Sequence, residues 1–187
     1  MLTVIKMANK KQLKQKIEIP AGITLAIDGN IVFVKGPKGE NKRKLINPLI
    51  IARQEDNKLI LEAKKNTKKE KKIMMSLKAH VKNMIRGAKE GYVYKLKVCS
   101  GHFPMTAQVD GKRLLIKNFL GEKIPRKAKI LDSVEVKVEG DVITVTSIDR
   151  EKAGQTAANI EQSTRITNRD RRVFQDGCYI TSKPERI

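Results

Sequence analysis

Two periodicities divide this chain of 187 residues. Most of it consists of short runs in which apolar and charged residues alternate, as in "VEVKVEG", where Val134, Val136 and Val138 share one face. Such alternation marks antiparallel strands with one buried and one wet face. It predicts strands at 16–19, 23–28, 31–35, 42–46, 49–54 and 58–63 in the first half, and at 92–99, 105–110, 113–118, 126–131, 134–139 and 142–147 in the second. Helical spacing replaces it twice. Ile73, Leu77, Val81, Met84, Ile85 and Ala88 form one stripe, opened by Thr67 and Glu70 as a capping box and closed by Gly91. In the second half Asp149 stands where an N-cap belongs. Ala153, Ala157, Ile160 and Thr164 then make a small-residue stripe suited to close approach to a sheet.

The halves repeat each other. "IDGNIVFVKGPKGEN" (27–41) and "VDGKRLLIKNFLGEK" (109–123) share Asp28/Asp110, Gly29/Gly111, Lys35/Lys117, Gly39/Gly121 and Glu40/Glu122, without gaps, at an offset of 82. "EDNKLILEA" (55–63) and "EGDVITVTS" (139–147) continue the parallel, each a strand entered through a tight turn. Strands gathered before a helix, twice over, predict an α+β fold: two tandem duplicated domains, each a small, mainly antiparallel sheet covered by one helix. The domains are expected over 16–90 and 91–168. The Asp–Gly pairs predict I′ hairpin turns, with both residues at positive φ. Asp28 and Asp110 should occupy equivalent elements, as should Gly39 and Gly121. A basic N-terminal arm (1–15) and a C-terminal tail (169–187) fall outside the repeat.

Composition narrows the function. The chain is 40% hydrophobic but only 4% aromatic, without Trp, so its core must be mainly Ile, Val, Leu and Ala. Forty basic residues against twenty acidic give a net charge of +20. That excess repels itself, and a polyanionic partner relieves it: nucleic acid first, an anionic membrane second. Cys99 and Cys178 lie too far apart in sequence for a metal-type pair and form no disulfide framework, which points to a reducing, cytoplasmic setting. No apolar run approaches the roughly 18 residues of a membrane span, and the N-terminus lacks a signal-peptide pattern. Catalytic chemistry finds no footing. His80 and His102 sit in different halves, "GPKGENKRK" lacks the phosphate-loop pattern and a following helix, and no acidic cluster suggests a metal. No enzyme, cofactor or small-molecule substrate is expected.

Residues 1–90 hold 22 basic and 8 acidic residues, a net of +14; residues 91–187 hold 18 and 12, a net of +6. Quality runs the other way. The first half carries 19 Lys and 3 Arg, the second 10 Lys and 8 Arg. Arginine is a planar fork suited to bidentate phosphate contacts and stacking, whereas lysine is a mobile point charge. The second half is therefore the expected docking side. Its candidates are Lys123, Arg126, Lys127 and Lys129 in "NFLGEKIPRKAK", the polar helical residues Gln155, Thr156, Asn159 and Gln162 in "GQTAANIEQ", and Arg165, Arg169, Arg171 and Arg172. Tyr179 can stack on a base, while Phe174 is expected to pack against its own domain.

Several stretches resemble the universal large-subunit ribosomal protein L-six family, whose eukaryotic member is called L-nine. They are "VKGPKGE" (34–40), "HVKNMIRGAKEGYVYKLK" (80–97), "HFPM" (102–105), "NFLGEK" (118–123), "GQTAANIEQ" (154–162) and "RDRRVFQDGCYI" (169–180), in family order along most of the chain. "NFLGEK" and "GQTAANIEQSTRI" are similar to the archaeal branch. The resemblance implies two tandem α+β domains and a structural role on the large ribosomal subunit in the cytoplasm. It also implies binding to large-subunit rRNA near the factor-binding stalk base and the sarcin–ricin loop, with neighbouring large-subunit proteins as further partners. The second domain and the tail would make the principal contacts. Two other classes share the charge. One is a free nucleic-acid-binding module, for which no RRM, KH or zinc pattern appears. The other is a peripheral protein of anionic membranes, which needs a basic amphipathic helix, whereas the 67–90 stripe is needed to cover a sheet.

Overall fold

The structure, a computed structural model, describes residues 13–44, 50–55, 57–63, 65–170 and 172–184. The chain divides into two compact units, Met1–Ile85 and Arg86–Ile187. Unit 1 carries β1 (Lys14–Glu18), β2 (Thr24–Asp28), β3 (Ile31–Gly36), β4 (Gly39–Lys44), β5 (Ile50–Glu55) and β6 (Lys58–Ala63). Helix α1 (Lys68–Glu90) follows, and the division falls within it. Unit 2 carries β7 (Tyr92–Cys99), β8 (Thr106–Asp110), β9 (Arg113–Lys117), a 3-10 turn (Phe119–Gly121), β10 (Arg126–Lys129), β11 (Val134–Glu139) and β12 (Val142–Ser147). Helix α2 (Arg150–Ser163) and β13 (Gly177–Ser182) complete it.

The topology is the same twice. In unit 1 the sheets run β1-β6-β5 and β2-β3-β4; in unit 2, with a strand added, β11-β12-β7-β13 and β10-β9-β8. All pairs are antiparallel. Registers agree as well. Thr24 lies opposite Lys35 and Asp28 opposite Ile31, as Thr106 lies opposite Lys117 and Asp110 opposite Arg113. The second sheet touches the first at equivalent strands, β2 against β5 and β8 against β11. Among the described residues each unit thus holds two small sheets, where the sequence leads one to expect a single one.

Three expectations need correction. The turns after Asp28 and Asp110 are not I′. Each Asp is the last paired residue of its strand, and the central residues are Gly29–Asn30 and Gly111–Lys112. Only the glycines take positive φ, 54° and 55°, as in a II′ turn. Strand β4 begins at Gly39, because the β3–β4 ladder runs up to Gly36 opposite Gly39; residues 45 and 46 of the expected strand lie outside the described residues. Gly39 and Gly121 are therefore not equivalent. Gly39 opens β4, whereas Gly121 closes the 3-10 turn in a longer connection before β10. The duplication rests on topology and register, not on that pair. The arm expected over 1–15 lies outside the described residues up to residue 12, and β1 already begins at Lys14.

Both helices start and stop as their sequences dictate. Thr67 Oγ1 accepts the Glu70 amide at 3.5 Å, and the Asp149 carboxylate accepts the Glu151 amide at 2.9 Å, each relieving an orphan donor of a first turn. Gly91, at φ 78°, ends α1 by donating to Gly87 O. In unit 2 one core gathers Leu96, Ile143 and Val145 from the larger sheet, Leu114, Ile116 and Ala128 from the smaller, and Ala153, Ala157 and Ile160 from α2, all essentially inaccessible. The small stripe lets α2 approach closely: a Cβ on Gly154 would sit 3.0 Å from the Tyr94 hydroxyl. The first eight residues of unit 1's contribution to α1 bury Met74, with Leu77, Val81 and Met84 following at helical spacing, and Lys78 donates to Gln15 at 2.7 Å.

Candidate nucleic-acid interface

Strand β10 is the edge of the smaller sheet in unit 2, and α2 packs beside it. Three contacts align them in opposite directions. Arg126 donates to Ser163 O at 3.0 Å, Asn159 Nδ2 to Lys129 O at 3.1 Å, and the Leu131 amide to Thr156 Oγ1 at 3.4 Å. Ala128 points into the core, so Lys127 and Lys129 point out, by the strand's period of two. Gln155 and Gln162 are exposed on α2, Asn159 is half-buried, and Arg165 is exposed just beyond it. The result is a strip of cations and amides along one edge of unit 2, with Lys123 exposed in the connection that leads into it. Gln155 donates to Asn159 Oδ1 at 2.9 Å, so these two amides are coupled.

Two predicted contact residues belong to the fold instead. Thr156 is fully buried. It lies three residues after Ala153 and four before Ile160, on the inner face, and its hydroxyl serves the Leu131 amide. Arg126 is committed almost completely. It grips Glu122 through Nε at 2.8 Å and Nη2 at 2.6 Å, donates Nη1 to Ser163 O and to Arg165 O at 3.1 Å, and lies 4.2 Å over the Phe119 ring. It joins the β9–β10 connection to the carboxyl end of α2, where unpaired carbonyls attract cations. Its guanidinium, hydrogen-bonded to Glu122, holds that carboxyl below its ordinary value. Arg171 lies outside the described residues.

Arg169, Arg172 and Tyr179 are elsewhere on unit 2. With His102, Phe103 and Phe174 they line a cleft of about 940 Å³ between the 99–103 loop and the 169–176 loop. His102 and Phe103 stack on each other, centroids 4.6 Å apart. Arg169 lies 4.7 Å over Phe174. Arg172 pairs with Asp170 at 2.8 Å, with 91% of its side chain exposed, and holds the Asp170 carboxyl below its usual range. Such a pair contributes little to stability. Leu120 forms one wall at φ 49°, after Asn118 at φ 59°. A bulky residue there is strained, and Asn118 Nδ2, donating to Pro104 O at 3.0 Å, helps hold it. The Gly101 amide donates to the buried Asp176 carboxylate, tying the two loops together.

The tail is not a free extension. Its β13 joins the larger sheet along β7, and Cys178 is fully buried in the core. Thr164 Oγ1 accepts the Cys178 amide at 2.9 Å and Glu161 accepts the Ile180 amide at 3.1 Å, so α2 covers the donors of this edge strand. Among the described residues, no helix is long and apolar enough to cross a membrane and no acidic, His or Cys cluster could hold a metal ion.

The family model described as ribosomal protein L6 matches this chain twice, over residues 19–91 and 103–177. The chain belongs to that family. It is similar to the large ribosomal subunit protein uL6 of Methanobrevibacter smithii, 46% identical over 91% of this chain and 96% of the relative. It is similar too to the protein of the same name from Methanosarcina mazei, 43% identical over 92% and 98%. The double match coincides with the double topology, and the family is one of structural ribosomal proteins, not enzymes.

Within this family member, sequence reasoning found the strip but not the cleft. Neither Phe103 nor His102 stands out by spacing or by a partner nearby in the sequence. The signal was present in "SGHFP", where two adjacent rings stand between turn residues. Its meaning depends on the 169–176 loop, some 70 residues away in sequence.

Proposed function

We propose that this protein is a structural constituent of the large ribosomal subunit in the cytoplasm, and that it binds large-subunit rRNA chiefly through unit 2. The observation that carries this reading is the strip along β10 and α2. Lys127, Lys129, Gln155 and Gln162 project from β10 and α2, with Arg165 just beyond the helix, and the mutual position of the two elements is fixed by Arg126, Asn159 and Thr156. Cations supply affinity for phosphate; amides and forks on a rigid scaffold supply a defined pose. The names of the archaeal relatives support the large subunit as the setting, and the family resemblance favours rRNA near the factor-binding stalk base and the sarcin–ricin loop, with neighbouring large-subunit proteins alongside. The test is sedimentation of a lysate at low and moderate salt, followed by crosslinking to rRNA. The protein should travel with the large subunit at both salts and crosslink through unit 2. Loss from the subunit at moderate salt would favour a free nucleic-acid-binding protein; flotation with lipid would favour a membrane surface.

A further inference from the structure

The cleft of unit 2 is chemically unlike the strip. Of its two arginines, Arg172 is paired with Asp170 and Arg169 lies against Phe174. Asp176 adds a buried carboxylate to the lining. A phosphate entering would meet that anion, and the exposed lysines of β10 offer it a better place. What the cleft does offer is π surface. His102 and Phe103 stack within 14° of parallel, Phe103 remains 40% exposed, and Phe174 and Tyr179 stand in the same lining. The volume of about 940 Å³ falls within the range of roughly 300–1,000 Å³ for small-ligand clefts. The lining is also held in place. The Phe103 ring rests 3.4 Å from where a Cβ on Gly121 would stand, and Asp176 fixes the opposite loop through the Gly101 amide. A flat, uncharged ring with polar edges fits this lining. RNA presents such rings as unstacked bases, which proteins take up by aromatic and arginine stacking.

We infer that this cleft receives a single unstacked base of large-subunit rRNA, stacked against the His102–Phe103 pair. The inference rests on the rRNA-binding role proposed above. It assigns the strip to backbone contacts and the cleft to base recognition.

The chain has no Trp, so Phe103→Trp creates one indole reporter while keeping an aromatic face. Full-length F103W is titrated with deproteinised large-subunit rRNA from Methanobrevibacter smithii and with heparin. The rRNA should quench the indole, while heparin should not. In parallel, Phe103→Leu should weaken rRNA binding roughly tenfold, the usual size of one stacked base, with the dependence on log salt unchanged, because no charge is lost. Phe103→Tyr should stay within about twofold, and Phe174→Leu should behave as Phe103→Leu does. Thermal melts within a few degrees of wild type establish that each variant folds. Wild-type affinity for F103L together with an unquenched F103W, while the parent protein still prefers this rRNA to unrelated RNA, overturns the cleft assignment and leaves the proposed function standing. Quenching by heparin, which has no bases, also overturns it. A parent protein with no preference for large-subunit rRNA overturns both.

Discussion

Replacing Arg126 by Lys keeps the charge and removes the fork, and so separates a structural arginine from an RNA ligand. Four of its five N–H groups are engaged within unit 2. A lysine could keep Glu122 or one α2 carbonyl, not both sides. The Glu122 pair is partly exposed, at 27% and 40%, and contributes at most about 1 kcal/mol. The lost charged bond to an α2 carbonyl costs about 1.5–3 kcal/mol, and the contact over Phe119 about 0.5–1 kcal/mol. These contributions overlap, so we expect a loss of roughly 2–3 kcal/mol, which lowers the melting midpoint by about 5–10 °C for a chain of this size. Binding should respond differently. At 15 °C, where the variant remains folded, its log affinity for rRNA against log salt should keep the parent slope. Arg165→Ala, by contrast, should flatten the slope by about 0.7 to 0.9, one phosphate's share. An R126K protein that melts within 1 °C of the parent but loses rRNA affinity and slope would show that the internal bonds give way to RNA, and that Arg126 belongs to the interface after all.

Other substitutions probe the same framework. Gly87→Ala should destabilise unit 2 strongly, although alanine favours a helix, because its Cβ would fall on the Ile148 carbonyl and 3.0 Å from the Tyr92 ring; a raised melting temperature would contradict this close approach. Thr164→Val preserves shape but leaves the Cys178 amide without its acceptor, and should cost about 1–3 kcal/mol by chemical denaturation. Burial pushes the Cys178 thiol from 9.0 to about 11, so the native protein should show Ellman's reagent at most Cys99, with Cys178 reacting on unfolding. Because the folded state holds this proton more tightly, the associated stability is full below pH 9 and is lost as pH rises toward 11; Cys178→Ala should flatten that alkaline loss.

Much of the fold was legible because strands and helices here obey local rules. Val134, Val136 and Val138 alternate as half-buried residues, and Asp149 caps α2 as its side chain allows. What escaped was non-local. Hairpin neighbours can be read from spacing, but nothing in spacing says that β1 pairs with β6 across 40 residues while β2-β3-β4 forms a sheet apart. Strand β13 is hidden by the repeat itself, since it has no counterpart among the described residues of unit 1. Thr156 was misplaced because its hydroxyl was weighed as polarity instead of angle. Counting 100° per residue from Ala153 puts it inside, where one backbone amide needs an acceptor.

Which half docks turns on rigidity as well as on charge. Net charge favours the first half, +14 against +6. Yet exposed charges act over only about 8 Å at physiological salt and chiefly raise encounter rates. A fixed pose requires donors that do not move when the partner arrives, and unit 2 is built to immobilise them. Arg126 secures the carboxyl end of α2, Asn159 and Thr156 hold its middle to β10, and Thr164 and Glu161 bind its last turn to β13. Each of these residues is polar, and each acts inward. The residues left facing outward are fewer than the sequence suggested, but they stand on elements locked at both ends. Rigidity, not the number of cations, is the reason to expect selectivity from unit 2 and only diffuse attraction from the lysines of unit 1.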